Sequence, residues 1–202
     1  MIPALGALHT GRLVLVPTDP LQAADQATIA KNLEAIGLIG AALPTTAAGE
    51  LRFRIGPAFG SLIAFTGCAV SFGDADAADS PGPRIAFPPP SAAPRLFVGR
   101  NTRPPRCPAC RAPLRDWLGP LRAAASRADP TESLEAAASL LCPGCGTEAC
   151  AYQWDFGRHG GAGRSVVLID EVFPGEAAPL PGLLRALERS TGCAWGYFYQ
   201  QD

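Results

Sequence analysis

Four cysteines stand in two closely spaced pairs, and their spacing constrains the fold more than any other feature of the sequence. The first pair reads Cys-Pro-Ala-Cys from Cys107 to Cys110, and the second reads Cys-Pro-Gly-Cys from Cys142 to Cys145, with 31 residues between them. Two intervening residues let the chain turn back so that both sulfurs reach one ion, and a tetrahedral ion takes four such ligands. The spacing therefore predicts that the four thiolates bind a single metal ion.

Three kinds of chemistry fit four thiolates at this spacing. Structural zinc takes four protein ligands and leaves no position open for a substrate. The same tetrahedral set could hold iron, as in a rubredoxin-like site. Each pair could instead act as a dithiol in disulfide exchange, but such a motif normally opens a helix directly after a strand, and residues 103–106, Arg-Pro-Pro-Arg, make a poor strand. Zinc is the preferred prediction, with iron and thiol redox chemistry as alternatives.

With two Cys-Pro-x-Cys knuckles, the chain resembles the zinc ribbon superfamily, whose knuckles often read Cys-Pro-x-Cys-Gly. The resemblance covers residues 104–173 and implies one structural zinc ion bound by the four knuckle cysteines. The sequence departs from this pattern in two ways. Arg111 follows the first knuckle where glycine is common, and the spacer between the knuckles is longer and has a helical pattern.

The N-terminal residues and the lack of a long apolar run predict a cytoplasmic and therefore reducing environment for the seven cysteines. No basic residue precedes Arg12, which is the wrong order for a secretory signal, and no apolar run reaches the roughly 18–20 residues of a membrane-spanning helix. We therefore expect a cytoplasmic protein without a membrane partner, in which permanent disulfides are rare. Cys68, Cys150 and Cys193 are predicted to be packed thiols, although Cys150 could substitute as a metal ligand.

The apolar patterns at the two ends of the chain predict an α+β fold. Apolar residues make up 48% of the sequence, so a buried core is feasible. We expect a mixed or antiparallel sheet domain assembled from residues 1–80 and 150–202. Residues 81–103 are predicted to be a proline-rich linker, and residues 104–149 an inserted zinc module with a helical spacer. Two separate small domains are the alternative.

Individual elements follow from periodicity and from capping residues. Strands are predicted over residues 13–16, 51–55, 61–72, 149–156, 165–173 and 195–199, with a glycine-rich turn over 157–163. Helices are predicted to begin at Asp19, Asp129 and Pro181, and residues 114–121 also have helical spacing.

Arginines are concentrated between the predicted sheet and the second knuckle. The segment Arg84–Arg127 holds nine arginines and one acid, Asp116, a local charge of +8, so the remainder carries −9 of the overall −1. Arg106 and Arg111 flank the predicted metal site and would favour its thiolates. The other arginines either pair with the acidic remainder of the protein or bind an external anion, including nucleic acid.

Signals for catalysis are weak in this sequence. There are two histidines, His9 and His159, and the sequence lacks a phosphate loop, a nucleophile elbow and a His-Glu-x-x-His pair. We therefore predict a non-catalytic, zinc-containing binding or adaptor protein, and the sequence leaves an enzymatic activity open. Its partner is predicted to be another protein, contacted through the arginine-rich segment or through Pro88–Pro90. The alternatives are a thiol–disulfide oxidoreductase and a nucleic-acid-binding zinc ribbon protein.

Overall fold

Short strands and four helices make up the described chain. The computed structural model describes residues 11–66, 82–125 and 138–201. The strands are β1 (Arg12–Pro17), β2 (Ile39–Leu43), β3 (Leu51–Ile55), β4 (Ile63–Phe65), β5 (Arg84–Phe87), β6 (Arg95–Phe97), β7 (Ser139–Leu141), β8 (Glu148–Cys150), β9 (Gly161–Gly163), β10 (Val167–Asp170), β11 (Ala177–Pro179) and β12 (Trp195–Gln200). The helices are α1 (Gln26–Ala35), α2 (Phe59–Leu62), α3 (Leu118–Ala125) and α4 (Pro181–Thr191).

One six-stranded sheet is built from both ends of the chain. Its strand order is β12-β1-β10-β5-β3-β2, and every neighbouring pair is antiparallel. The N-terminal half supplies four of these strands and the C-terminal half supplies two, so the predicted α+β class and the antiparallel sheet are confirmed. Among the described residues, no helix has both the length and the apolar character needed to cross a membrane.

Helices α1 and α4 cover one face of this sheet, which we call the helix face. Successive residues of a strand point to opposite faces, so Leu13 and Leu15 of β1 face the helices and are fully buried. Leu33 of α1 and Leu183 of α4 belong to the same apolar cluster and are equally buried. Burying each of these side chains contributes about 1.5–3 kcal/mol. This cluster is the main core of the protein.

Of two helices predicted from the sequence, one begins at a different residue in the structure and the other is confirmed. Helix α1 begins at Gln26, and Asp25 caps it by accepting a hydrogen bond of 2.8 Å from the Thr28 amide. The predicted start at Asp19 is therefore wrong, because a second acid nearer the apolar face supplies the cap. The predicted helix from Pro181 is confirmed and ends at Gly192, whose φ of 72° lies in the left-handed region.

Strand β5 lies within residues 81–103, which were predicted to be a linker. For this part of the segment the prediction is wrong. Residues Arg84–Phe87 pair with β10 on one side and with β3 on the other, in the middle of the sheet. Ile85 and Phe87 are fully buried on the helix face. A four-residue strand between prolines carries no periodic signal of its own, which is why the sequence reading missed it.

Three other predicted elements need correction. The predicted strand over residues 61–72 is confirmed at Ile63–Phe65, which pairs with β11 in a separate two-stranded sheet, but residues 61–62 belong to α2. Residues 67–72 lie outside the described residues. The strand over 149–156 ends at Cys150 and continues as a short 3-10 turn. The chain enters the second knuckle as strand β7 rather than as a helix. The helix predicted from Asp129 begins outside the described residues.

Strand β9 packs on the opposite face of the sheet, which we call the second face. Val14, Leu168 and Phe198 form the apolar centre of this face. Strand β9 pairs with β6, and a side chain at Gly161 or Gly163 would collide with Phe198 or Val16. The glycine-rich segment predicted to be a turn is therefore partly a strand held tightly against the sheet.

Candidate metal centre

The first knuckle is a tight backbone turn closed by three hydrogen bonds. The amide of Cys107 donates to the carbonyl of Ala112 at 2.9 Å, and the amide of Arg111 donates to the carbonyl of Cys107 at 3.0 Å. The amide of Ala109 donates to the sulfur of Cys107 at 3.4 Å. The turn therefore directs both cysteine side chains to one side and provides backbone donors to a thiolate.

The second knuckle repeats this turn. The amide of Cys142 donates to the carbonyl of Thr147 at 2.8 Å, and the amide of Gly146 donates to the carbonyl of Cys142 at 2.9 Å. Gly146 and Arg111 each stand four residues after the first cysteine of their knuckle and have φ values of 73° and 64°. The first knuckle thus keeps the left-handed backbone of its counterpart even though an arginine occupies the position where glycine is favoured.

The two knuckles face each other and bring all four sulfurs together. The sulfurs of Cys107 and Cys145 are 3.7 Å apart, and those of Cys110 and Cys142 are 3.6 Å apart. All four lie within 4.8 Å of one another. A tetrahedron with metal–sulfur distances of about 2.3 Å has edges of about 3.8 Å, whereas a disulfide needs about 2.05 Å. The cysteines are free thiols in a geometry that could hold one metal ion.

Each knuckle contributes one buried and one exposed cysteine. Cys107 and Cys142 are 0% and 1% exposed and form part of an apolar cluster, whereas Cys110 and Cys145 are exposed. The cluster under the knuckles includes two tryptophans, and the rings of Trp117 and Phe156 meet edge to face at 5.5 Å. Other fully or nearly fully buried members are Leu114, Leu121, Leu140 and Trp154. The site therefore stands on a small core of its own.

Hydrogen bonds from neighbouring groups lower the pKa values of two thiols, whereas crowding by the other sulfurs raises the pKa of Cys110. The hydroxyl and amide of Thr147 lower the pKa of Cys145 to about 6. At Cys110 the amide of Ala112 also lowers the pKa, but the neighbouring sulfurs of Cys145 and Cys142 outweigh it and raise the pKa to about 12. Four thiols this close cannot all ionise alone, because like charges repel. A divalent cation would remove that repulsion and displace the remaining protons.

An ion pair joins the first knuckle to the segment that follows the second. The guanidinium of Arg111 donates to the carboxylate of Asp155 at 2.5 Å, and this contact lowers the pKa of Asp155. The other carboxylate oxygen accepts the Gly157 amide at 2.7 Å. Arg106 and Asp155 also exchange backbone hydrogen bonds of 2.9 and 3.1 Å. Arg111 was predicted to favour the thiolates of the site. It also makes a structural contact with Asp155 that its position in the sequence did not reveal.

The same segment attaches the site to the edge of the six-stranded sheet. The guanidinium of Arg158 lies 3.7 Å above the ring of Tyr197 and donates to the Tyr197 carbonyl at 2.5 Å. The amide of Tyr199 donates to the Arg158 carbonyl at 3.0 Å. These contacts occupy hydrogen-bonding groups along the outer edge of β12. Arg158 therefore fastens the start of this glycine-rich segment to the sheet.

Two further cysteines within the described residues are not part of the four-sulfur cluster. Cys150 and Cys193 are half-buried free thiols, in agreement with the predicted packed thiols, and neither belongs to the metal-binding group. Cys68 and His9 lie outside the described residues. Thr147 and Asp155 are the residues around the site that the sequence analysis missed. A hydroxyl two residues after the last cysteine is a usable signal for Thr147, whereas the role of Asp155 depends on a contact with Arg111 across 44 residues.

Comparisons with family models, curated proteins and solved structures gave no match. The resemblance to zinc ribbons therefore stands on the two knuckles alone. The fold and the site define an α+β protein with a four-cysteine centre that could hold a metal ion.

Proposed function

We propose that this is a non-catalytic binding or adaptor protein whose four-cysteine centre holds one structural zinc ion. The observation that carries the proposal is the convergence of four sulfurs on one point, with cross-knuckle separations of 3.6 and 3.7 Å. Four protein thiolates fill a tetrahedral shell and leave no position for a substrate or for an activated water. Thiolate ligands and tetrahedral geometry favour zinc over harder cations, and iron is the competing metal.

Elemental analysis of the purified protein tests the metal directly. We expect about one zinc per chain, in keeping with one tetrahedral site. Cys142→Ser should lose the metal because the buried sulfur of Cys142 is one of the four ligands. Cys193→Ser is the matched control, since that half-buried cysteine lies outside the cluster. Iron in place of zinc would change the cofactor, and a Cys107/Cys142 double variant that retained stoichiometric metal would refute the site.

We assign the partner role to the arginine-rich surface beside the knuckles. Arg100, Arg103 and Arg115 are exposed, and each lies within 15 residues of a first-knuckle cysteine. Within the described residues, no hydrogen bond or ion pair connects their side chains to an acid. An acidic surface of another protein would complement these charges. Mixing the wild-type protein and an Arg103→Glu/Arg115→Glu variant with host extract tests this, because only the wild-type protein should retain specific partners.

Thiol–disulfide exchange is the second candidate function. The exposed sulfur of Cys145 and its pKa of about 6 are the observations that favour it. The metal proposal predicts that the as-purified protein does not reduce a model disulfide, because metal-bound thiolates are poorly available for exchange. Turnover that disappears in Cys145→Ser, with the metal already absent from the wild-type protein, would favour the oxidoreductase instead.

A further inference from the structure

The close sulfur–sulfur contacts of the metal centre each join a buried cysteine to an exposed one. The sulfur of exposed Cys110 lies 3.6 Å from that of buried Cys142. The sulfur of exposed Cys145 lies 3.7 Å from that of buried Cys107. Both contacts cross from one knuckle to the other, so we call them the two cross-knuckle pairs. A reagent from solvent therefore reaches one cysteine of each pair first, with the partner sulfur close beside it.

The pair of Cys110 and Cys142 is the less covered of the two. A Cβ atom added at Gly144 would lie 3.8 Å from the Cys142 sulfur and 4.0 Å from the Cys110 sulfur. Glycine therefore leaves open a position from which a side chain could cover both sulfurs. The corresponding residue of the first knuckle is Ala109, which carries a methyl group.

The exposed cysteine of the other pair has an additional polar neighbour. The hydroxyl oxygen of Thr147 lies 3.2 Å from the sulfur of Cys145. The equivalent position of the first knuckle holds Ala112, whose side chain offers Cys110 no polar group. A hydrogen bond that stabilises a thiolate makes its sulfur a weaker nucleophile. These contacts favour Cys110 as the first cysteine of the centre to react.

Hydroperoxides are the class of reagent that this arrangement fits. The susceptibility of a cysteine to oxidation follows its thiolate character and its exposure, and oxidation-sensitive cysteines often have a second thiol beside them. Binding to a metal keeps sulfur in the thiolate form. Residues 108–111 and 143–146 are all exposed, so the approach to the tips of both knuckles is open. A hydroperoxide also needs less space at the sulfur than the bulky disulfide of an exchange reaction.

We propose that Cys110 is a modification site at which a hydroperoxide oxidises the metal centre, and that Cys142 completes a cross-knuckle disulfide with it. The inference rests on the proposed function, because it requires a centre of four metal-bound thiolates. The disulfide removes two of the four ligands, and the remaining pair, Cys107 and Cys145, does not fill a tetrahedral shell. The protein therefore gives up its metal when Cys110 is oxidised.

The oxidation takes place in two steps and uses one molecule of hydrogen peroxide. The Cys110 thiolate attacks a peroxide oxygen, so that an S–O bond forms, the O–O bond breaks and hydroxide leaves, which gives a sulfenic acid. The Cys142 thiolate then attacks this sulfur, so that the S–S bond forms, the S–O bond breaks and a second hydroxide leaves. Two thiolates lose two electrons in total, and the peroxide gains them. The two sulfurs approach from 3.6 Å to about 2.05 Å.

A cross-knuckle disulfide has a different consequence from a disulfide within one knuckle. A bond between Cys110 and Cys142 holds the two knuckles together, as the metal does, whereas a bond between Cys107 and Cys110 would leave them unconnected. The apolar cluster under the knuckles, which contains Trp117 and Trp154, therefore stays packed after oxidation. Reduction of the disulfide restores the thiolates, so the modification is reversible.

Treatment of the full-length, zinc-loaded protein with an equimolar amount of hydrogen peroxide tests this proposal. Zinc is measured before treatment by elemental analysis and during treatment with a chromophoric indicator. Disulfides are mapped by mass spectrometry after alkylation of the free thiols. We expect about one zinc released per disulfide, because two thiolates do not complete the shell, and the Cys110–Cys142 disulfide should form before the Cys107–Cys145 disulfide. A thiol reductant with added zinc should restore the starting metal content.

The variant Gly144→Leu provides a test that leaves all four ligands in place. Gly144 lacks the positive φ that penalises a side chain, and its added Cβ meets neighbours only at ordinary contact distances. The leucine should cover Cys110 and Cys142 and slow zinc release about threefold or more, because reactivity follows exposure. Gly182→Leu, with nothing within 4 Å of its added carbon, is the matched control and should release zinc at the wild-type rate.

The contrary results separate this inference from the proposed function. Protein that cannot be loaded with zinc would refute the proposed metal centre and this inference with it. Zinc-loaded protein that keeps its zinc under peroxide would overturn this inference alone. Disulfides within a knuckle, or a Cys107–Cys145 disulfide that forms first, would overturn it as well. Equal release rates in the wild-type protein and in Gly144→Leu of equal zinc content would have the same effect.

Discussion

Arg111 and Gly146 occupy equivalent positions in the two knuckles, and both have a left-handed backbone. Their φ values differ by only 9°, being 64° and 73°. Glycine adopts this conformation freely, whereas a residue with a side chain loses about 1 kcal/mol in doing so. Arg111 compensates through its contact with Asp155, but the two side chains are 58% and 40% exposed. Pairs this exposed contribute about 0–1 kcal/mol, so the contact and the strain are of similar size.

This balance predicts a specific order of stability among variants of the two knuckles. Arg111→Gly loses the ion pair and relieves the strain, so its stability should be close to that of the wild-type protein. Arg111→Ala loses the pair and keeps the strain, and should be less stable than Arg111→Gly by about 1 kcal/mol. Gly146→Ala should show a similar loss without any collision, because nothing lies within 4 Å of the added carbon. Chemical denaturation of the metal-loaded proteins measures all three, and equal stability of the two Arg111 variants would contradict the strain argument.

Removing the metal should unfold the module around the knuckles before the six-stranded sheet. Cys107 and Cys142 belong to the apolar cluster that contains Trp117 and Trp154, whereas the main core has its own residues from β1, α1 and α4. Structural zinc contributes folding free energy outright, and small zinc modules lose their structure without it. A strong chelator should therefore shift the emission of these tryptophans to longer wavelength. Amide exchange of β1 and β10 should remain slow in the same sample.

The chelator experiment has a clear contrary result. Tryptophan emission that does not change while one metal equivalent is removed would show that the module folds without metal. Trp195 belongs to the main core and reports on the sheet, so a Trp195→Phe variant isolates the signal of the module.

Two glycines of β9 should tolerate no side chain. An added carbon at Gly163 would collide with Val16, and one at Gly161 would collide with the ring of Phe198, both on the second face of the sheet. Overpacking of this kind costs about 1–3 kcal/mol, so either alanine variant should lower the Tm by several degrees. Gly182→Ala is the matched control, because this glycine lies in the first turn of α4 with nothing within 4 Å. That variant should be neutral or slightly stabilising, since alanine favours a helix more than glycine does.

The sequence predicted those parts of the molecule that are determined by short-range patterns. The knuckles, the strand at Leu13 and Leu15, and the helix that ends at Gly192 all follow from residues within a few positions of one another. Strand β5 could not be found this way, because its partners in β3 and β10 lie about 30 and 80 residues away and its own four residues carry no alternation long enough to read. The contact of Arg111 with Asp155 depends in the same way on pairing between distant segments.

Salt dependence should decide between an acidic protein partner and nucleic acid for the exposed arginines. Each phosphate neutralised on duplex DNA contributes about −0.9 to the slope of log affinity against log salt, so a nucleic-acid surface would bind at low salt and release steeply as salt rises. The overall charge of −1 disfavours such binding, and the charge of +8 over Arg84–Arg127 favours it. We expect no measurable affinity for a duplex or a single strand at physiological salt, because a protein partner is the proposed ligand.

Charge reversal then separates a partner surface from intramolecular pairing. Arg100→Glu, Arg103→Glu and Arg115→Glu change exposed side chains that make no ion pair within the described parts of the chain. The combined variant should keep its metal content and its Tm while it loses binding to the protein partner, since surface charges of this kind contribute little to stability. A marked fall in Tm would show instead that these arginines neutralise acids of their own chain. Strong nucleic-acid binding with a steep salt slope, abolished by the same changes, would move the protein into the nucleic-acid-binding class.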